Sequence, residues 1–202
     1  MKKTILTAAI AISSLLGISK TTYAKNLNNA EVTTVLNDAS TFSEIEVHGN
    51  VQVYLTSGTT NKVKVYDNYY AKDALVQSDN GVLRITSYTT HKLVVWVTVN
   101  DLSKLSVFDN AEVKSFGKLS AIDINVDLHN QALVQLDMDA YSASFKLTGR
   151  AKADLSGSVE YATLQHARSS YLNISEFTAT NLVQKVKVRP VADQQPAELA
   201  SL

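Results

Sequence analysis

The chain contains no cysteine and only two prolines among its 202 residues, and its 19 basic residues are balanced by 19 acidic ones. Without cysteine the protein can form neither disulfide bonds nor thiolate metal sites, so packing and hydrogen bonds alone must hold its fold. Because the net charge is zero, no global field attracts nucleic acid or an acidic surface. The composition therefore argues against a nucleic-acid-binding protein.

Catalytic motifs are also missing from the sequence. No serine lies in a GxSxG elbow, no two histidines have HExxH spacing, and no glycine-rich loop suits a phosphate. Of the four histidines, His166 falls at an apolar position of the repeat described below, where a hydrogen-bonded buried or end-of-repeat histidine is the favoured interpretation. The sequence predicts a protein that is not an enzyme, with no catalytic residue, no cofactor and no metal ion.

Three aspartates keep an enzymatic alternative open, because some β-helical proteins degrade polysaccharides. Asp137 and Asp139 lie two residues apart on one predicted strand face, and Asp154 lies nearby. Glycoside hydrolysis needs two carboxyl groups at a defined separation, and calcium needs six to eight oxygen ligands. Solvated corner residues are the favoured interpretation, with a calcium site and a catalytic pair as alternatives.

The N-terminus has the features of a secretory signal peptide over residues 1–24. Lys2 and Lys3 precede an apolar run from Ile5 to Ile18, and Thr22-Tyr23-Ala24 forms a small-x-small cleavage site before Lys25. The run is shorter than the roughly 20 residues of a spanning helix, although an uncleaved anchor is the alternative. No second long apolar run follows. We expect an exported chain without a transmembrane span, located in the periplasm or at the cell surface.

After the signal peptide, alternating apolar residues replace any helical periodicity, which predicts an all-β protein. We divide the exported chain into an N-terminal extension (25–40), a β-domain (41–178), and a degenerate last strand with a disordered tail (179–202). The tail contains both prolines, Pro190 and Pro196, among Gln, Ala and Glu residues.

From Leu102 onward the alternation repeats with a long period, at spacings of 21, 19 and 19 residues from Leu105 to Val126, Phe145 and Leu164. The other apolar columns are Val107, Leu128, Leu147 and His166; Ala111, Ala132, Ala151 and Ser170; Val113, Val134, Ala153 and Leu172; and Ser115, Leu136, Leu155 and Ile174. The segment from Ile45 to Leu55 resembles the same pattern once more.

Polar pairs, such as Asp109-Asn110 and Asn130-Gln131, separate the two strands of each repeat and predict turns. Outward columns also agree, since Asp127 would lie beside Lys146 and place opposite charges together. Stacked repeats would pair each strand with its equivalents above and below. The columns favour a parallel β-solenoid with strand-rich N-terminal coils over a β-sandwich, which would also show alternation and turns.

Four segments also occur in a recognisable order: Phe42 to Val65, the strand after Asn80-Gly81, the apolar strand LVVWVTV (93–99), and DLSKLSV (101–107), which leads into the repeats. Together they resemble the bacterial family called putative auto-transporter adhesin, head GIN domain, over most of the exported chain. The resemblance implies a right-handed β-helix-like fold and an exported, surface-related role in Bacteroidota-type bacteria. It implies no catalytic residues.

Two departures from the family pattern affect the corners and the C-terminal end. The family's Ser-Gly-Ala corner keeps its glycine only at Gly149, so we expect different corner geometry elsewhere. The pattern also decays after Phe177, although another repeat is due near residue 183. An uncapped last repeat would expose a strand edge, through which copies of the chain could associate.

Exposed tyrosines are the sequence's best candidates for ligand binding. Tyr66, Tyr69 and Tyr70 cluster in a predicted loop, where they could stack on a sugar or dock a protein, or instead cover the first repeats. Trp96 alternates with valines and is either core or a strand-face anchor. The first hypothesis is a non-enzymatic adhesin that binds a surface glycan or protein. A self-assembling envelope protein and a polysaccharide-active enzyme are the alternatives.

Overall fold

The computed structural model describes residues 33–36, 41–66 and 74–187, and every regular element within these ranges is a β-strand. The strands are β1 (Thr33–Leu36), β2 (Glu44–Gly49), β3 (Val51–Ser57), β4 (Lys62–Tyr66), β5 (Ala74–Asp79), β6 (Val82–Ser87), β7 (Leu93–Val99), β8 (Lys104–Val107), β9 (Glu112–Ser115), β10 (Leu119–Leu128), β11 (Leu133–Leu147), β12 (Lys152–Ala167) and β13 (Tyr171–Lys187). The prediction of an all-β protein is confirmed.

All thirteen strands belong to one sheet that curls around its own apolar core. One part of the sheet, the β2 half, contains β5, β6, β2 and β8, and the other, the β3 half, contains β1, β4, β7, β3 and β9. Strands β11, β12 and β13 are long enough to continue through both halves. Successive residues of a strand face opposite sides, so each half presents one apolar and one polar surface.

The alternation is clearest in β7, where Leu93, Val95, Val97 and Val99 are buried and the residues between them are partly exposed. β-branched side chains suit such a pleated surface because their stiff rotamers pack against cross-strand neighbours. Among the described residues, Ser87 is the only polar side chain in the core. The core is therefore apolar and continuous from Phe42 to Leu164.

Parallel ladders join the repeats in the predicted register. Val126 lies between Leu105 and Phe145, and Val134 lies between Val113 and Ala153. The outward columns agree as well, because Asp127 pairs with Lys146.

The earlier copy of the pattern joins the same ladders. Ile45 pairs with Leu105, and Val53 pairs with Val113. The columns predicted from the sequence are thus confirmed from Ile45 onward.

Antiparallel strands cover the N-terminal end of these ladders. β4 pairs antiparallel with β7, β1 with β4, and β5 with β6. The β5–β6 connection is a tight hairpin at Asn80 and Gly81, whose φ angles are 50° and 80°. Consecutive positive φ values suit a two-residue hairpin that matches strand twist. This end therefore departs from the purely parallel stacking predicted from the columns.

The corner that joins β8 to β9 and its equivalents in the next repeats is a stack of turns, which we name the first corner. Asp109, Asn130 and Gly149 occupy equivalent positions with φ values of 60°, 59° and 70°. Asp and Asn tolerate this left-handed conformation, so these glycine-poor corners keep one backbone geometry. The turns also bond to one another, since Asn130 Nδ2 donates to Asp109 Oδ1 at 3.0 Å.

Strand β13 continues past the boundary predicted at residue 178. It pairs with β12 from Tyr171 to Lys187, so the predicted degenerate last strand is the second part of β13. A bulge places two residues, Ile174 and Ser175, opposite Leu155 and shifts the later register by one position. Because of this extra residue, the inward positions after Ile174 fall 20 rather than 19 residues after their β12 partners, as for Val159 and Ala179. Residues 188–202, with the predicted tail, lie outside the described residues.

Gly157 should be a point of high sensitivity, because it has a φ of 99° and its missing side chain would point at the Met138 carbonyl oxygen. Replacing Gly157 with Ala should lower the free energy of unfolding by at least about 2 kcal/mol, since strain and a backbone collision add. Urea denaturation measures this loss. Gly117→Ala is the matched control, because its φ is 79° but open space surrounds it. Equal losses in the two variants would contradict the predicted collision.

Candidate functional site

The three predicted tyrosines are only partly covered by the described residues. Tyr66 ends β4, where it is partly exposed and pairs with Val94 on the outer surface of the β3 half. Tyr69 and Tyr70 lie outside the described residues.

Three aromatic side chains meet on that same outer surface, and we name them the aromatic strip: Tyr54, Trp96 and Phe116. The Tyr54 and Trp96 rings stack with centroids 4.7 Å apart at an interplanar angle of 25°. Trp96 meets Phe116 edge to face at 5.3 Å and 63°. Tyr66 lies two positions from Trp96 along the ladder, on the same face. The tyrosine predicted from the sequence thus borders a larger aromatic surface.

Strand alternation explains why these rings face outward. Trp96 lies between buried Val95 and Val97, and Tyr54 lies between buried Val53 and Leu55. Sequence reasoning left the orientation of Trp96 open and did not connect it with Tyr54. The β3–β7 ladder, which pairs Tyr54 with Trp96, decides both points.

Polar groups flank the aromatic strip. Lys64 pairs directly with Trp96, and Lys114 pairs with Tyr54. Gln52 Nε2 donates a hydrogen bond to the Tyr54 hydroxyl oxygen at 3.2 Å. Neither lysine forms an ion pair with another residue in the part of the chain that the structure describes. The surface therefore combines flat apolar rings with two cations that are available to a ligand.

A second aromatic group lies at the first corner, where His48, Phe108 and His129 stack on one another in successive repeats. The ring centroids are 4.3 Å apart for His48 and Phe108 and 4.5 Å for Phe108 and His129, and the rings are nearly parallel. His129 Nδ1 lies 3.1 Å from Thr148 Oγ1, and His48 Nε2 lies 2.8 Å from Glu46 Oε1. The two histidines are therefore held on both sides of one phenylalanine.

Two titratable groups near this stack have shifted pKa values. The hydrogen bond from His48 lowers the pKa of Glu46, burial opposes that shift, and the charges of His48 and Arg84 support it. Burial lowers the pKa of His129, with Lys146 and His48 adding to this shift and Asp127 opposing it. The neutral form of His129 is therefore the one that fits the stack.

The three aspartates weighed as an enzymatic alternative do not form a common cluster. Asp137 and Asp139 flank buried Met138 on β11 and pair with Ser156 and Ser158 of β12. Asp154 lies in another row, where its Oδ1 accepts a hydrogen bond from Asn173 Nδ2 at 2.9 Å. Within the described residues, no three acidic or histidine side chains are placed to share a metal ion.

His166, the polar member of an apolar column, lies near the C-terminal end of the repeats. It is partly exposed, and its Nε2 lies 3.4 Å from Gln184 Nε2 of the last strand. Its ladder partner in the preceding repeat is buried Leu147. It is thus a hydrogen-bonded residue at the end of the core.

Comparison with known proteins gives one family match. The profile of the family described as "Putative auto-transporter adhesin, head GIN domain" matches residues 41–189. No curated protein matches the chain. Among the described residues, no helix is long and apolar enough to cross a bilayer.

Several solved structures share the fold. A putative adhesin from Bacteroides fragilis NCTC 9343 matches with a TM-score of 0.66 and 13% identity over 77% of this chain and 76% of that chain. A protein named putative lipid binding protein from Parabacteroides distasonis ATCC 8503 matches at 0.57 and 14%, over 79% of each chain. A putative adhesin from Parabacteroides merdae ATCC 43184 matches at 0.53 and 14%, over 77% of each chain.

The His129 environment predicts that stability falls on mild acidification. The folded-state pKa of His129 lies below the ordinary 6.5. Its contribution to the free energy of unfolding is therefore fully present above pH 6.5 and is lost as the pH falls below that value. His129→Phe keeps a ring on Phe108 but removes the titrating group. Urea unfolding at pH 7 and pH 5 should therefore show a smaller loss of stability in this variant than in the wild type.

Glu46 does not interfere with that comparison. Its lowered pKa gives stability that is present above the ordinary 4.5 and is lost only below it. An unchanged pH dependence in His129→Phe would therefore show that His129 is not the group responsible.

Proposed function

Because the chain belongs to the family of putative auto-transporter adhesins with a head GIN domain, we propose that it is a non-enzymatic, exported protein that attaches to a surface glycan through the aromatic strip. The observation that carries this proposal is the contact of Tyr54, Trp96 and Phe116 on the outer surface of paired strands. Other aromatic side chains among the described residues are exposed, but here three rings in contact adjoin two lysines that form no ion pair with another described residue.

Aromatic rings suit sugars because the apolar face of a sugar ring stacks on them while the hydroxyl groups stay in water. Phe116 is exposed and Tyr54 and Trp96 are partly exposed, and covering about 100 Å² of their combined apolar surface is worth about 2.5 kcal/mol. The strands hold Tyr54 and Trp96 in place before binding, so little side-chain entropy is lost. A row of rings can contact several sugar units at once.

Lys64 and Lys114 support a preference for acidic sugars. Each lies directly beside a ring of the aromatic strip, and each is free of ion pairs with the other described residues. A uronic acid or sulfated sugar that stacks on Trp96 would bring its anion near an ammonium group. Such exposed charge pairs weaken as salt increases, because the screening length is about 8 Å at physiological ionic strength.

The proposal includes export and architecture. We propose that residues 1–24 are removed as a signal peptide and that the mature protein acts in the periplasm or at the cell surface. We also propose that the repeats within residues 41–178 form a right-handed parallel solenoid with antiparallel strands at its N-terminal end, and the parallel ladders between successive repeats support this. Tyr69 and Tyr70 extend the proposed binding surface, next to Tyr66 in the sequence.

The test measures binding of residues 25–202 to immobilised neutral, uronic-acid and sulfated glycans and to matrix proteins, while the eluate is searched for released sugars. We expect retention on acidic glycans without released products. Trp96→Ala should weaken binding about tenfold or more, because it removes the central ring. Lys64→Gln should weaken binding to acidic glycans and leave binding to neutral ones unchanged.

The double variant Tyr141→Ala/Tyr161→Ala is the matched control. These two tyrosines are exposed and in ring contact, but they lie away from the aromatic strip. Equal loss of binding in this control would move the site to their surface, and released sugars would overturn the non-enzymatic assignment. Anionic vesicles form a further arm, because one similar structure is named a putative lipid binding protein. Retention on vesicles alone would replace the glycan with a lipid.

A further inference from the structure

The last strand leaves one long edge of the sheet open. β13 runs for 17 residues and, among the described strands, pairs only with β12. Its other edge therefore presents a row of backbone donors and acceptors without a strand partner among the described residues. Such an edge is a template for pairing with another strand.

The same end of the molecule leaves the core uncovered. Most β13 side chains that continue the inner surface are apolar but are not buried: Leu172, Ile174, Phe177 and Ala179 are partly exposed, and Leu182 and Val186 are exposed. Leu182 is 46% exposed, whereas its ladder partner Ala162 is 2% exposed. Phe177 already packs edge-on against Phe145. A strand that pairs with the open edge of β13 must therefore both extend the sheet and cover these apolar side chains.

The residues that follow β13 do not continue the pattern. With a repeat of about 20 residues, the strand opposite Tyr171 to Ala179 would fall near residues 191–199. That segment reads VADQQPAEL, which lacks the inward alternation and contains Pro196. Proline cannot donate to a ladder and is disfavoured inside a strand. The next segment of this chain is therefore a poor partner for the edge.

The opposite end of the ladders is not complementary to β13 either. Antiparallel strands β4 and β5 cover it, so it does not offer a parallel strand equivalent to the one that β13 lacks. Head-to-tail stacking would require β13 to pair with this different end and would give an open fibre. Pairing of β13 with the same strand of a second copy closes after two molecules.

We propose that β13 pairs antiparallel with β13 of a second copy, forming a closed two-fold dimer. In β12 the inward residues Val159 and Ala162 flank the outward pair Glu160-Tyr161, which marks the second corner of the repeat. The ladder places Asn181 of β13 opposite Tyr161, so the corner of β13 lies at Thr180-Asn181. We place the two-fold axis at this corner. The part of β13 that precedes the corner in one copy then pairs with the part that follows the corner in the other copy.

This register brings complementary residues together. Counting outward from the axis, Ala179 faces Leu182 of the second copy, and Glu176 faces Lys185. Both charged residues are exposed and point outward in the isolated chain. Symmetry repeats each pair, so two Glu–Lys contacts form at one interface. Gln184 reaches the inner surface too, where it already contacts His166.

The dimer would present two aromatic strips, one on each copy, and would increase avidity for a repeating glycan. The self-association itself does not depend on the glycan proposal, because its residues lie on β13 and those of the strip lie on β3, β7 and the residue after β9.

Sedimentation equilibrium of residues 25–202 across a wide concentration range tests the dimer. We expect a monomer–dimer equilibrium. Glu176→Lys and Lys185→Glu each turn two attractive contacts into repulsive ones and should each weaken dimerisation about tenfold. The double variant Glu176→Lys/Lys185→Glu restores opposite charges and should recover most of the affinity. Circular dichroism checks that every variant folds, which we expect because both positions are exposed.

Three outcomes would overturn the proposal. A monomer at every concentration would remove the dimer. In that monomer, protection from hydrogen exchange of the β13 amides that face away from β12 would identify the chain's own C-terminal segment as the partner of the edge. Oligomers that grow without limit would indicate head-to-tail stacking. A dimer that responds to neither single charge reversal would exclude the proposed two-fold register.

Discussion

The parallel backbone ladder between successive repeats is the constraint on which the rest of the structure depends. It pairs Val126 with Leu105 on one side and Phe145 on the other, so apolar side chains of successive repeats meet in the core. A shift by one residue would turn every inward side chain outward. With no disulfide available, this register and the apolar core maintain the fold.

The ladder also concentrates like side chains on the outer surface. Residues that are distant in sequence but equivalent in position come within stacking distance, as in the His48–Phe108–His129 stack and the aromatic strip. Paired strands hold Tyr54 and Trp96, and Phe108, Phe116 and His129 directly follow the ends of paired strands. A rigid surface of this kind suits binding, since it offers regular rows of groups to a ligand.

The two ends of the ladder differ in how their strand edges are covered. At the N-terminal end, strands fold back as antiparallel neighbours. The hairpin between β5 and β6 needs only the two residues Asn80 and Gly81 to reverse the chain. At the C-terminal end, β13 keeps the parallel direction and leaves both its edge and its apolar face open. Binding to a ligand on the outer surface and association through the last strand would therefore use separate parts of one sheet.

The sequence by itself determined the strand content, the inward columns and the corner positions, because alternation and a period near 20 residues are local properties of the chain. It also pointed to Tyr66, but it could not join Trp96 to Tyr54, since that contact depends on which strands are neighbours in the sheet. The bulge at Ile174 was hidden for a related reason: one extra residue breaks a fixed period, and only pairing with β12 shows where the register resumes. Local pattern set which face each residue takes, whereas the tertiary structure decided which residues meet, because non-local hydrogen bonding selects the neighbours.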